Sequence, residues 1–200
     1  MLRVLTLLLL IAISLTAGWC QNLVSARHGT FLTSNLNTDQ GLSSSRAYSA
    51  VESSDGAIWI ATKVGVDRYN GFTVKSYRLP RQHQYSDASG MVVKLFKASD
   101  GTLMAYDNKG HIYGYSPVTD AFTMRHDLTV SLKGTMVLNE VCADGNQGMW
   151  AGLDRGICHI SSQGNLRLLL KDHYISHVAL FRRGVLAGAA DGVYLIRSGR

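Results

Sequence analysis

Four times along the chain a short apolar strand is followed, six residues after its central position, by a glycine that opens a second strand. The strand centres are Trp59, Met104, Trp150 and Leu186, and the glycines are Gly65, Gly110, Gly156 and Gly192. Successive glycines are 45, 46 and 36 residues apart. A unit of about 40–45 residues built from strands has the spacing of β-propeller blades. One such unit cannot bury both faces of its own sheet, so stacked neighbours must supply the core.

Within each unit the strands and turns keep one order. In the first, Ala47–Val51, Ala57–Thr62, Gly65–Tyr69 and Phe72–Tyr77 surround Asp55-Gly56 and Asn70-Gly71, both hairpin dipeptides. Four short strands joined by tight turns make one blade. The second unit has Met91–Phe96, Leu103–Tyr106, His111–Tyr115 and Ala121–Arg125. The third has Met136–Cys142, Met149–Leu153, Ile157–Ile160 and Leu166–Leu170. The fourth offers Ile175–Phe181, Val185–Gly188 and Gly192–Ile196, with no fourth strand before Arg200. The sequence thus predicts an all-β chain, a β-propeller of four-stranded antiparallel blades over 41–79, 89–128, 134–170 and 174–200. It is expected to be the incomplete N-terminal portion of a longer ring. Residues 21–40 form a polar lead-in, where Thr30-Phe31-Leu32-Thr33 is a candidate ring-closing strand.

The N-terminus reads differently. Arg3 precedes a run from Val4 to Leu15 broken by Thr6 and Ser14, and the small residues Thr16, Ala17 and Gly18 follow. This is the pattern of a signal peptide, assigned to 1–20, with cleavage after Gly18 or Cys20. A lipoprotein reading of Cys20 meets bulky Trp19 where a small residue is needed. An uncleaved anchor meets a run shorter than the ~20 residues of a span. A periplasmic chain is expected, and loss of Arg3 takes the formal charge from +6 to +5. Only Arg182-Arg183 and Lys171 make a local basic patch, which leaves nucleic acid a poor partner and an anionic glycan open. Cys142 and Cys158 fall on the first and third strands of one blade. Such strands lie about 9–10 Å apart, beyond the ~7 Å reach of a disulfide, so buried free thiols are expected.

Few residues nominate themselves for chemistry. Trp59 and Trp150 occupy equivalent positions, where an indole either stacks on a sugar or packs against the next blade; packing is the expectation, with both indoles buried at matching sites. His173 and His177 have a zinc-like spacing, but on a strand they stand about 13 Å apart, too far for one metal. The two glutamates, Glu52 and Glu140, lie in or beside first strands, and Asp55, Asp100, Asp144 and Asp191 belong to Asp-Gly turns. No carboxylate pair or nucleophile pattern emerges, so no catalytic residue, metal or cofactor is expected. The most polar inter-blade loop, Pro80–Gly90, offers Arg81, His83 and Tyr85 as candidate ligand-binding residues or as a plain solvated connection.

Residues Gly41-Leu42-Ser43, Asp55-Gly56-Ala57-Ile58-Trp59-Ile60-Ala61-Thr62 and Gly65-Val66-Asp67-Arg68-Tyr69-Asn70-Gly71 resemble the two-component regulator propeller repeat. That repeat belongs to the periplasmic sensor regions of hybrid two-component histidine kinases. Ala61 stands for the usual Gly. The third unit keeps Trp150, Gly152 and Gly156-Ile157 with Leu153 for Thr, while Met104 and Leu186 replace the Trp in the other two. The resemblance covers about residues 28–200. It implies an exported sensor that detects an oligosaccharide, dimerises in its full-length form, and reaches the membrane and kinase only through C-terminal parts. A lyase-like propeller enzyme acting on polysaccharide and a protein-interaction scaffold are the alternatives.

Overall fold

The structure is a computed structural model that describes residues 33–80, 91–182 and 184–197. The chain divides into two compact units, Met1–Asn35 and Leu36–Arg200, and every described strand belongs to the second. The proposed signal peptide, the core of the Thr30–Thr33 segment, and Arg81, His83 and Tyr85 lie outside the described residues.

The strands are β1 (Ala47–Glu52), β2 (Ile58–Thr62), β3 (Val66–Tyr69), β4 (Val74–Tyr77), β5 (Val93–Lys97), β6 (Leu103–Asp107), β7 (His111–Ser116) and β8 (Ala121–Asp127). They continue as β9 (Leu138–Ala143), β10 (Met149–Leu153), β11 (Gly156–Ile160), β12 (Leu166–Leu169), β13 (Ile175–Phe181), β14 (Gly184–Ala189) and β15 (Gly192–Arg197). A single helical turn, α1 (Leu128–Ser131), follows β8, capped by Asp127. The sheets run β1-β2-β3-β4, β5-β6-β7-β8, β9-β10-β11-β12 and β13-β14-β15, each neighbour being the next strand in sequence. All pairings are antiparallel. These are the predicted blades, all-β and repeated.

Short tight hairpins explain the order, and the turn chemistry repeats. Asp55 Oδ1 accepts the Ala57 N–H at 3.2 Å, Asp100 Oδ1 that of Thr102 at 2.9 Å, and Asp144 Oδ1 that of Asn146 at 2.7 Å. Each aspartate thereby satisfies a backbone donor two residues on, which pre-forms the turn between the first two strands of its blade.

Between consecutive sheets, contact is made chiefly by first strands: β1 lies beside β5, β5 beside β9, and β9 beside β13. Side chains at one repeat position stitch these inner strands together. Ser49 Oγ accepts the Leu95 N–H at 2.9 Å, Lys94 Nζ donates to the Asn139 carbonyl at 3.2 Å, and Glu140 Oε2 accepts the Val178 N–H at 3.3 Å. Ser49, Lys94 and Glu140 sit opposite Ala61, Tyr106 and Gly152, and His177 holds the same place opposite Gly188.

The apolar cores lie between blades. One joins Trp59, Ala61, Val66 and Tyr77 of the first sheet to Val93, Leu95, Leu103, Ala105, Tyr113 and Phe122 of the second. A second joins Met104, Tyr106 and Ile112 to Val141, Met149, Ala151, Cys158 and Ile160 of the third. A third joins Ile157 to Ile175, Val178, Val185 and Ala187. Each blade's stability thus depends on its neighbour, as stacked repeats require.

Candidate functional site

Two buried carboxylates mark one end of the first two blades. Asp67 of β3 is fully buried. Its Oδ2 accepts the N–H and the hydroxyl of Ser43, each at 2.8 Å, and its Oδ1 accepts the Ser76 hydroxyl at 2.6 Å. This gives the Gly-Leu-Ser segment before β1 a physical role: Ser43 docks the entering chain onto Asp67, and Thr62 Oγ1 lies 2.8 Å from the Ser43 hydroxyl.

Asp107, also fully buried, closes β6. Its Oδ1 accepts the N–H groups of Lys109 and His111, and its Oδ2 accepts the Tyr113 hydroxyl at 2.8 Å. His111 Nδ1 lies 2.9 Å from Asp107 Oδ2, and Nε2 lies 3.8 Å from Asp127 Oδ2. With both ring nitrogens facing carboxylates and the side chain sealed from solvent, this imidazole meets no substrate. It organises the hairpin. Here β6 pairs with β7 one residue further along than in the other blades, Met104 opposite Gly114 against Trp59 opposite Arg68. The turn Asn108–Gly110 between β6 and β7 is held by the Asp107 carboxylate through the Lys109 and His111 N–H groups.

The two tryptophans share a register but not an environment. Trp59 is 3% exposed, with Tyr77, Tyr115 and Phe122 at ring separations of 5.1, 4.6 and 6.0 Å. Arg68, its cross-strand neighbour, lies 5.7 Å from the ring and pairs with Asp55. Bonds from the Ser53 hydroxyl, Arg68 and the Ala57 N–H hold the Asp55 carboxyl down to about 2. Trp150, expected to be buried at the matching site, is only partly buried. The difference has a simple cause. Tyr115 and Phe122 of the second blade cover Trp59, whereas the fourth sheet has, among the described residues, no outer strand to set over Trp150.

Trp150 therefore borders a groove of about 840 Å³ between the third and fourth sheets, shared with His159, Arg167, Leu169, Arg182 and Arg197. His159 lies under the indole at 4.4 Å, and its Nε2 is 2.9 Å from Asp144 Oδ2. Burial works to raise the Asp144 pKa, but the bonds from His159 and from the N–H groups of Asn146 and Gly148 outweigh it and leave the carboxyl below its usual range. The groove is thus lined by an indole, three arginines and an imidazole, with one carboxylate already engaged. Sequence reasoning missed it because Arg167, Arg182 and Arg197 converge only through the packing of two sheets.

Among the described residues no group of three or more His, Cys, Asp or Glu side chains is placed to hold a metal ion. His173 faces Asp191 at 3.5 Å, and His177 lies on β13 beside Ser176. Cys142 on β9 and Cys158 on β11 flank β10, and both thiols are free. Cys158 is buried as expected and Cys142 only partly, and burial pushes each thiol up to about 11.

No family model matches the chain, and no curated protein matches it in sequence. Solved structures do. The extracellular domain of the hybrid two-component system BT4673 from B. thetaiotaomicron is similar with a TM-score of 0.64 at 19% identity, over 80% of this chain and 22% of that one. The extracellular domain of the hybrid two-component system BT3049 from the same organism gives 0.56 at 13% identity, over 82% and 26%. Virginiamycin B lyase from Staphylococcus aureus gives 0.52 at 17% identity, over 76% and 56%. The chain spans about a quarter of the length of those extracellular domains. What it shares with them is the fold, consecutive antiparallel blades of the kind found in extracellular domains of hybrid two-component systems.

Proposed function

We propose that the chain is part of an exported sensor propeller that recognises an oligosaccharide and relays the binding event without converting the ligand. The carrying observation is the likeness in fold to extracellular domains of hybrid two-component systems. The repeat motif of the first blade and the leader-like run at 4–15 support the same reading. In it, the chain is periplasmic and residues 1–20 are removed on export. Loops on a rigid scaffold are where such recognition resides, so the loop with Arg81, His83 and Tyr85 contributes to the site. Binding alters how full-length protomers pair as a homodimer, and C-terminal parts carry the change across the membrane.

The reading excludes a metal, a cofactor and nucleic acid from the mechanism. Its positive test is calorimetry of the ectodomain encoded by the whole reading frame against a panel of oligosaccharides. Saturable heat is expected for one chemical class, weakened at least tenfold by joint replacement of Arg81, His83 and Tyr85 with alanine. Silence across the panel would overturn the oligosaccharide assignment.

One observation favours a second reading. His159, partly exposed beside Asp144 and bordering a groove with three arginines, has the composition of a proton-abstracting base near an anion clamp, and a lyase shares the fold. The chemistry stops short, because the Asp144–His159 pair also closes the hairpin turn and the ring is packed against Trp150.

A further inference from the structure

In each four-stranded sheet the turn between the second and third strands lies at the end from which the connection to the next sheet departs. Around the third sheet these segments are tied together by backbone bonds. The Asn108 N–H donates to the Val92 carbonyl at 3.0 Å and the Asp154 N–H to that of Val137 at 3.0 Å, one bond repeated in two blades. The Asn108 carbonyl accepts the Leu138 N–H at 3.2 Å, and the Arg155 carbonyl accepts the Asp172 N–H at 3.2 Å. Each turn is thus held between the entry of its own sheet and the connection that follows. Residues 108–110, 128–137, 154–155 and 170–172 form one continuous shelf.

Four cations stand on it. Lys109 and Arg155 hold the same place, one residue before Gly110 and Gly156, while Lys133 follows α1 and Lys171 follows β12. The Arg155 guanidinium lies across Gly134, where a Cβ would be 3.7 and 3.9 Å from its two terminal nitrogens, and this brings it beside Lys133. Among the described residues the three lysines make no ion pair, and Arg155 has only Asp154 of its own turn, at 3.8 Å. Asp172 is the other exposed carboxylate, while Asp107 and Asp127 are turned inward with side chains 0% and 12% exposed. At the far end of the sheets the first turns carry aspartates instead, Asp55, Asp100 and Asp144. Like charges gathered without partners repel one another and weaken the fold. The packing does not require them, since Lys133 and Lys171 are exposed.

We propose that this shelf binds an oligosaccharide carrying repeated anionic groups, carboxylate or sulfate, laid along the second and third blades over Lys109, Lys133, Arg155 and Lys171. One exposed cation holds one anion weakly. A ligand whose charges recur along its length meets several at once, and each contact raises the effective concentration for the next. Arg155 offers a planar fork to one anionic group, and the lysines act as point charges on flexible stems. The proposal rests on the oligosaccharide reading above and adds the ligand's charge and its place.

The probes are a galacturonate hexasaccharide, which carries carboxylates, and a heparin hexasaccharide, which adds sulfates, each titrated into the intact chain by calorimetry. Saturable binding of at least one is expected, and the arm that binds more tightly identifies the anionic group. Binding should weaken at least tenfold when salt is raised enough to screen exposed charges. Joint replacement Lys109→Gln, Lys133→Gln and Lys171→Gln should weaken it at least tenfold without lowering the melting temperature, and the three corresponding changes to arginine should retain it. Lys97→Gln, at the far end of the second sheet, should leave it within twofold. The neutral form of each probe, methyl-esterified or desulfated with reduced carboxyls, should bind at least tenfold more weakly. Equal binding of the charged and neutral forms would overturn the proposal and leave oligosaccharide recognition standing. Silence in both charged arms, or binding indifferent to the triple glutamine replacement, would overturn it even where a neutral oligosaccharide binds.

Discussion

At the residue scale, buried polar groups carry the local order. Asp67 has no solvent and three protein donors. A buried donor left unmatched costs about 1–3 kcal/mol, so Asp67→Ala should destabilise the chain by about 3 kcal/mol, measured by urea unfolding. Asp67→Asn, which keeps one acceptor oxygen, should lose less. Equal losses would show that the carboxylate's bonds are not what matters. The thiols give a pH test. Burial raises Cys142 and Cys158 to about 11 from 9, so the unfolded chain releases these protons first as pH rises. The thiols' contribution to stability should therefore be constant below pH 9 and be lost between pH 9 and 11. A Cys142→Ala, Cys158→Ala double variant should lose stability less steeply across that window. Identical slopes would contradict the assignment.

The repeat governs the elements, and its glycines are not equivalent. A Cβ on Gly156, whose φ is +137°, would sit 2.7 Å from the Leu169 carbonyl oxygen and 3.0 Å from that of Leu170. Gly192 has φ +150°, and a Cβ there would meet nothing within 4 Å. Left-handed backbone strain alone costs about 1–3 kcal/mol, and a clash with backbone adds to it. Gly156→Ala should therefore lower the unfolding midpoint clearly more than Gly192→Ala, by calorimetric melting. The reverse order would mean that β11 and β12 are not packed as described. The glycine period and the Asp-Gly turns made these elements legible, and several strands end within a residue or two of where the sequence put them. The extra residue in the β6–β7 hairpin was not legible, because Gly110 keeps the common spacing from Met104 and only the pairing of Met104 with Gly114 reveals the shift. Nor was the stitching of inner strands by Ser49, Lys94 and Glu140, three unlike side chains whose shared position appears only in the register.

Across the whole molecule, sequence and structure agree on how blades follow one another and part over what surrounds Trp150. Indole burial depends on the next blade's outer strand, a property that no local pattern around Trp150 encodes. The candidate ligand residues were likewise chosen from loop polarity, while the basic groove arises from residues scattered between Asp144 and Arg197. The central claim is recognition without conversion. Its most direct test is mass spectrometry of a panel of neutral and anionic oligosaccharides after long incubation with the purified chain. Every oligosaccharide should be recovered intact, and the His159→Ala variant should be indistinguishable from the parent. Appearance of cleaved or unsaturated products that vanish in His159→Ala would contradict the account and make the groove an active site.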